Sequence, residues 1–148
     1  MRLTRHTDYA LRMLIYAALR PNRICTVDAV ATAYGLSRNH LLKVAQSLRD
    51  LGYVITARGR AGGIRLAVPP ERINIGALVR AIEQDFALVE CLEPGCARCR
   101  IVRACRLKGM VVEATNAFHA VLDRYSLADI IHEGPALMPL LGIDGAAA

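Results

Sequence analysis

From Thr7 to Leu19 apolar residues recur at three- and four-residue steps, with Ala10, Leu11, Leu14, Ala17 and Ala18 on one stripe. That period predicts an amphipathic helix, which Pro21 and Asn22 close. A shorter helix is predicted over Val27–Ala33, capped by Thr26 and followed by Gly35, a residue that readily takes the left-handed conformation that ends helices. A third helix is predicted from Arg38 to Leu51, with Ser37 as its N-cap and Gly52 just past its end. Its buried stripe is Leu41, Val44, Ala45, Leu48 and Leu51, leaving Arg38, Asn39, His40, Lys43, Gln46 and Arg49 mainly on the remaining surface. A short helix, a glycine turn and a second helix form a helix-turn-helix.

Two short apolar runs follow, Tyr53–Ala57 and Ile64–Val68, separated by Arg58-Gly59-Arg60-Ala61-Gly62-Gly63. Strand, glycine-rich turn and strand predict a hairpin, placed as a wing directly after the third helix. Pro69 and Pro70 mark its exit, and Asn74 can cap a fourth helix over Ile75–Glu83. Residues 84–103 have no sustained period and form a long, cysteine-rich loop. A long helix is predicted from about Arg103 to Tyr125, striped by Leu107, Met110, Val111, Ala114, Phe118, Val121, Leu122 and Tyr125. So long an apolar stripe exceeds what a small domain can cover, so it is expected to pair with a second copy. Ser126 can cap a last short helix over Leu127–His132, and the Gly/Pro/Ala-containing tail is expected to be loosely held. The fold class is therefore mainly α with a small β-hairpin: a winged helix-turn-helix domain over residues 1–72, a ligand-binding loop and dimerisation helix over 73–133, and a flexible tail over 134–148.

Charge sharpens this picture. The net charge is +6, but residues 1–72 hold 12 Lys/Arg against 4 Asp/Glu, while residues 73–148 hold 7 against 9. The positive field belongs to the winged half, which points to a polyanion there. With double-stranded DNA as partner, Ser37, Arg38, Asn39 and His40 would meet base edges at the start of the third helix, and Lys43 a phosphate one turn on. Arg58, Arg60 and Arg65 would serve the wing. A dimer would place two recognition helices about 34 Å apart and read an inverted repeat. Asp8 and Arg12 interrupt any signal-peptide reading of the N-terminus, and no stretch approaches a membrane span. A cytoplasmic protein is expected. No general acid–base pair and no nucleotide motif is visible, so an enzyme is not expected.

Cys91, Cys96, Cys99 and Cys105 give Cys-x4-Cys-x2-Cys-x5-Cys. In a reducing compartment such a cluster of thiols points to a metal centre rather than to disulfides. Zinc and iron–sulfur both suit thiolates, and the spacing leaves both open. Arg98, Arg100, Arg103, Arg106 and Lys108 interleave or follow the thiols and would favour thiolates. Cys25 stands apart and suits a buried small hydrophobe.

The opening Met1-Arg2-Leu3-Thr4 with Thr7-Asp8-Tyr9-Ala10-Leu11-Arg12, the segment Tyr34–Leu41, the wing Arg58–Leu66 and Cys105-Arg106-Leu107-Lys108 together resemble the NsrR-type nitric oxide-sensing repressors. These belong to the winged-helix family that also contains IscR and RirA. The resemblance covers about residues 1–132. It implies a homodimer that holds a [4Fe-4S] cluster through Cys91, Cys99 and Cys105, with Cys96 as an alternative ligand and Asp8 of the other subunit as the fourth. A [2Fe-2S] cluster and zinc are the alternatives to that cofactor. Without the resemblance, Asp8 would be read as a carboxylate favoured by the dipole of the first helix. Lys108 stands where the IscR branch has a histidine, and the iron-responsive RirA branch lacks an aspartate at the place of Asp8. Nitric oxide is thus the expected signal and iron the alternative. His6, His40, His119 and His132 have no place in the ligand pattern.

Overall fold

The computed structural model describes residues 2–57, 62–83, 85–93, 95 and 99–143. Helix α1 (Arg5–Ala18) begins two residues earlier than its apolar period suggests, because Thr4 caps it, its hydroxyl accepting from the Thr7 amide. Ala10, Met13, Leu14 and Ala17 point inward. Met13 is fully buried, whereas Leu11 packs only at the margin of the core.

Helices α2 (Val27–Tyr34) and α3 (Arg38–Asp50) follow. Thr26 caps α2, and Gly35 ends it at φ 63°, the left-handed conformation expected of it. Leu41, Val44, Ala45 and Leu48 of α3 are buried against α1 and α2, but Leu51, expected on that stripe, is exposed past the helix end. Strands β1 (Val54–Ala57) and β2 (Gly63–Leu66) pair antiparallel, Val54 with Leu66 and Ala57 with Gly63. Cys25 adds a third rung through two 2.8 Å backbone hydrogen bonds with Ile64. A Cβ at Gly63 would overlap the Cys25 carbonyl, so the close approach of these segments requires glycine there.

After a 3-10 turn at Pro70–Arg72 comes α4 (Ile75–Ile82), capped by the Asn74 side chain. A second 3-10 turn covers Glu90–Leu92, and α5 (Arg106–Leu122) starts three residues later than its apolar period suggested, with Cys105 at the N-cap position. The foot of α5 rests on α4: a Cβ at Gly76 would overlap the Asp123 carboxylate, and Arg80 donates to both oxygens of Asp123 at 3.1 and 2.6 Å. Helix α6 (Leu127–Ile130) begins in a capping box of Ser126 and Asp129. Its Leu127 is buried, and the Leu127 amide donates to the Ile73 carbonyl at 2.8 Å.

The flexible tail expected from Gly134 is not found as far as Ile143. Residues Gly134–Leu140 form α7, and Ile143 is buried, with Leu137, Met138 and Leu141 packed against the core. The Gly/Pro composition hid a short apolar face that packs against the core. The chain is mainly helical with one hairpin, a winged helix-turn-helix with a long trailing helix.

Candidate nucleic-acid interface and cysteine loop

Burial divides α3 by its helical period. With the four apolar residues inward, Ser37, Arg38, Asn39, Leu42, Lys43, Gln46 and Arg49 are exposed. Ser37 occupies the N-cap position but makes no cap hydrogen bond, so its hydroxyl remains for another partner. Arg38, Leu42, Gln46 and Arg49 line a cleft of about 580 Å³ between α3 and the hairpin, floored by Thr56, Gly62 and Gly63. Arg38 is held there by Asp28 of α2, its Nε lying 2.6 Å from Oδ1.

The expected DNA residues are therefore only partly gathered. Arg38, Asn39, His40 and Lys43 are all exposed on α3, with His40 on the side toward α1, its ring 6.2 Å from that of Tyr9. Arg65 is exposed opposite Ile55 and lines a separate recess with Arg20, Asn22 and Pro69. Arg58 and Arg60 lie outside the described residues. Leu42 and Asp28, both at this cleft, went unnoticed in the sequence. A helical wheel centred on Leu41 and Leu48 exposes Leu42, but Asp28 is joined to Arg38 only by the fold.

Among the proposed ligands, Cys91 sits half-buried in the Glu90–Leu92 turn, Cys99 is exposed, and Cys105 is half-buried at the start of α5. Cys96 lies outside the described residues. None of the described cysteines is in a disulfide. Cys105 stands at the N-terminal end of the 17-residue α5. Cys25 is buried, as expected of it, and burial pushes its thiol above the ordinary range, with Arg20 partly opposing the shift.

Within one chain the ligands do not converge: among the described residues no three His, Cys, Asp or Glu side chains stand close enough to hold a metal ion. Asp8 instead faces Arg12, which donates to it at 3.0 Å and 2.9 Å. That carboxylate borders a cleft of about 490 Å³ lined also by Arg2 and Arg5. The donor chemistry still suits an iron–sulfur cluster, since three unoxidised thiols share one loop and one of them stands at the N-cap position of a helix without bonding to its amides.

Two tethers fix the start of this loop. Glu83, only 7% exposed, accepts from the Thr4 amide at 2.9 Å, the Thr4 hydroxyl at 3.1 Å and the Thr7 hydroxyl at 2.7 Å. Phe86 meets the His119 ring edge-on at 4.5 Å. Helix α5 buries none of its residues, and Leu107 and Met110 are 60% and 64% exposed. Sequence reasoning missed Glu83, because a lone glutamate at a helix end carries no sign of burial.

A family model described as Rrf2, iron-dependent transcriptional regulator, matches residues 3–133. The chain belongs to the Rrf2 family. It is 48% identical over 142 residues to the HTH-type transcriptional regulator NsrR of Bacillus subtilis (strain 168), covering 95% of this chain and 97% of that one. Among solved structures it resembles CymR, the global cysteine regulator of B. subtilis, with a TM-score of 0.71 at 22% identity, covering 90% of this chain and 98% of that one. T. potens IscR gives a TM-score of 0.69 at 22% identity, covering 90% and 88%. Those two likenesses show a common winged-helix fold. As an Rrf2 member the chain is a DNA-binding transcriptional regulator rather than an enzyme. Among the described residues no helix is long and apolar enough to cross a membrane.

Proposed function

We propose that this regulator is a cytoplasmic repressor that senses nitric oxide through a [4Fe-4S] cluster. Cys91, Cys99 and Cys105 of one protomer would hold it, with Cys96 as the alternative thiol and Asp8 of the other protomer as the fourth ligand. The observation that carries this reading is the set of three free thiols in one loop between the DNA-reading unit and the exposed apolar face of α5. The likeness to NsrR over nearly the whole chain supports it. Residues 1–72 form the reading unit and 73–133 the sensing and dimerising unit.

Bound in this loop, the cluster supplies iron that reacts with nitric oxide. The chain's own residues turn that into a change in DNA binding. Asp8 has two possible partners, Arg12 of its own helix or the loop of the other protomer. Helix α1 carries Asp8 on its outer side, while Ala10, Met13 and Leu14 pack toward the core that α3 shares. A pull on Asp8 therefore moves α1 and α3 together. With Asp8 engaged across the dimer, the two recognition helices sit at operator spacing on an inverted repeat. With Asp8 back on Arg12, that constraint is gone, which makes a two-state device.

Iron sensing by the same fold is the second reading, favoured by the description of the family as iron-dependent. Anaerobic purification followed by iron, sulfide and zinc analysis is the first test, and zinc without sulfide overturns both readings. An inverted-repeat duplex selected from a random pool is then titrated with loaded and metal-free dimer. Nitric oxide is expected to release the loaded form while an iron chelator alone does not. Release by the chelator alone selects the iron reading, and equal affinity of loaded and metal-free protein removes the switch.

A further inference from the structure

Asp28 is an odd residue to find at a DNA-reading surface. Its carboxylate is two-thirds exposed and adds negative charge beside a face that must approach phosphates. An exposed ion pair contributes little to folding, so stability does not account for its pairing with Arg38. What the pair does is restrict direction. Asp28 makes its closest contact with Arg38 at Nε, 2.6 Å away, rather than at the terminal fork of two amino groups. That fork is the donor pair that meets O6 and N7 of guanine. One turn further along the same side, Leu42 is 42% exposed, an aliphatic side chain between two arginines of the recognition cleft. Such a group suits the methyl of thymine.

We propose that Asp28 is a positioning residue for base readout: it aims Arg38 of the recognition helix at a guanine, and Leu42 packs on a thymine methyl within two base pairs of it. His40, turned toward Tyr9 on the opposite flank, takes no part. This rests on DNA binding and not on what the cysteine loop holds.

The two roles open to Asp28 differ in sign. A carboxylate that merely stabilises the start of α2 would, when neutralised, lower the melting temperature and leave base preference alone. A positioning carboxylate would, when neutralised, flatten preference for guanine while general affinity holds or rises, because a negative charge has left the DNA face. The test is selection from a pool of randomised duplexes by the full-length dimer prepared without oxygen, together with affinities for one scrambled duplex. The native chain is expected to enrich guanine at one position of each half-site and thymine within two base pairs. Asp28→Asn should reduce the guanine enrichment about fivefold, the lower end for a bidentate base contact, with equal or tighter binding to the scrambled duplex. Leu42→Ala should erase the thymine preference only, and His40→Ala should change neither. Guanine enrichment that survives Asp28→Asn or Arg38→Ala overturns the proposal, as does a native chain that enriches no guanine.

Discussion

Asp8 and Arg12, one turn apart on α1, are joined twice: Nε of Arg12 donates to Oδ1 at 3.0 Å, and Nη2 lies 2.9 Å from Oδ2. Both side chains are about two-fifths exposed, and Arg12 also lies over the Tyr34 ring at 5.8 Å. An exposed helical pair of this kind contributes only about 0.3–0.5 kcal/mol, so Asp8 can leave it at small cost.

Arg12→Ala is therefore expected to lower stability by no more than about 1 kcal/mol, ion pair and ring contact together. Asp8→Ala should be equally mild for folding. It should nevertheless alter the visible absorption of the anaerobic, iron-loaded protein, because an oxygen ligand is lost. Absorption and circular dichroism of the two variants beside the native chain make the measurement. An Asp8→Ala spectrum identical to the native one takes Asp8 out of the ligand set.

Glu83 offers a different kind of expectation. One of its carboxylate oxygens accepts three hydrogen bonds from Thr4 and Thr7, in the turn that opens α1. Removing the acceptor leaves partly buried donors without a partner, which costs roughly 1–3 kcal/mol. Glu83→Ala should show that loss in urea denaturation, and Glu83→Gln, which keeps one acceptor oxygen, a smaller one. Because Glu83 is the last residue before the cysteine loop, the alanine variant should also hasten proteolysis within residues 84–105. Equal denaturation midpoints for native and alanine chains would show that the clasp contributes nothing.

How far the sequence carried depended on the range of each interaction. Helices α2 and α3, with Thr26, Gly35 and Ser37 at their ends, follow from local caps and apolar period, and so does the hairpin. The early start of α1 rests on Thr4, which precedes the apolar stripe. Helix α7 is not legible in the sequence because its few apolar residues, Leu137 and Met138 among them, gain their burial from a core built by distant parts of the chain. The site divides in the same way. Spacing alone marks the run of thiols from Cys91 to Cys105, and the choice of Cys91, Cys99 and Cys105 among them is what the family resemblance implies, whereas Asp28 at Arg38 and Glu83 at Thr4 are products of tertiary folding. His40 is expected among the base readers from its position in the chain, and its ring lies 6.2 Å from that of Tyr9, a neighbour that only the fold supplies.

The uncovered face of α5 leads to an expectation about assembly. Leu107 and Met110 are three residues apart on one side of the helix, and both are largely exposed. Replacing both by glutamate puts charge where a second copy would bury apolar surface. The double variant should run as a monomer in analytical ultracentrifugation while keeping native helicity, since neither Leu107 nor Met110 belongs to the chain's own core. Its affinity for an inverted-repeat duplex should fall toward that for a single half-site. A double variant that remains dimeric would place the subunit contact elsewhere.

Alkaline pH should weaken the fold, and Cys25 shows why. The thiol is buried beside Ile64, and burial raises it above its ordinary value of 9.0. Tyr34 and Tyr53 are also raised, chiefly by burial. In each case the folded chain holds the proton to higher pH than the unfolded chain does. The associated stability is fully present below the unfolded value and is lost as pH rises through the folded value, because the unfolded state ionises first. The urea midpoint should accordingly fall between about pH 8 and about pH 10.5. Cys25→Ala should start lower, by about 1 kcal/mol for the lost packing, but decline less steeply, since only the tyrosines then contribute. The same burial makes a kinetic difference among the thiols: in metal-free protein at about pH 8 an alkylating reagent should modify the exposed Cys99 promptly and Cys25 only on unfolding. Equal labelling rates for Cys25 and Cys99, or parallel alkaline declines for native and Cys25→Ala chains, would contradict the assignment.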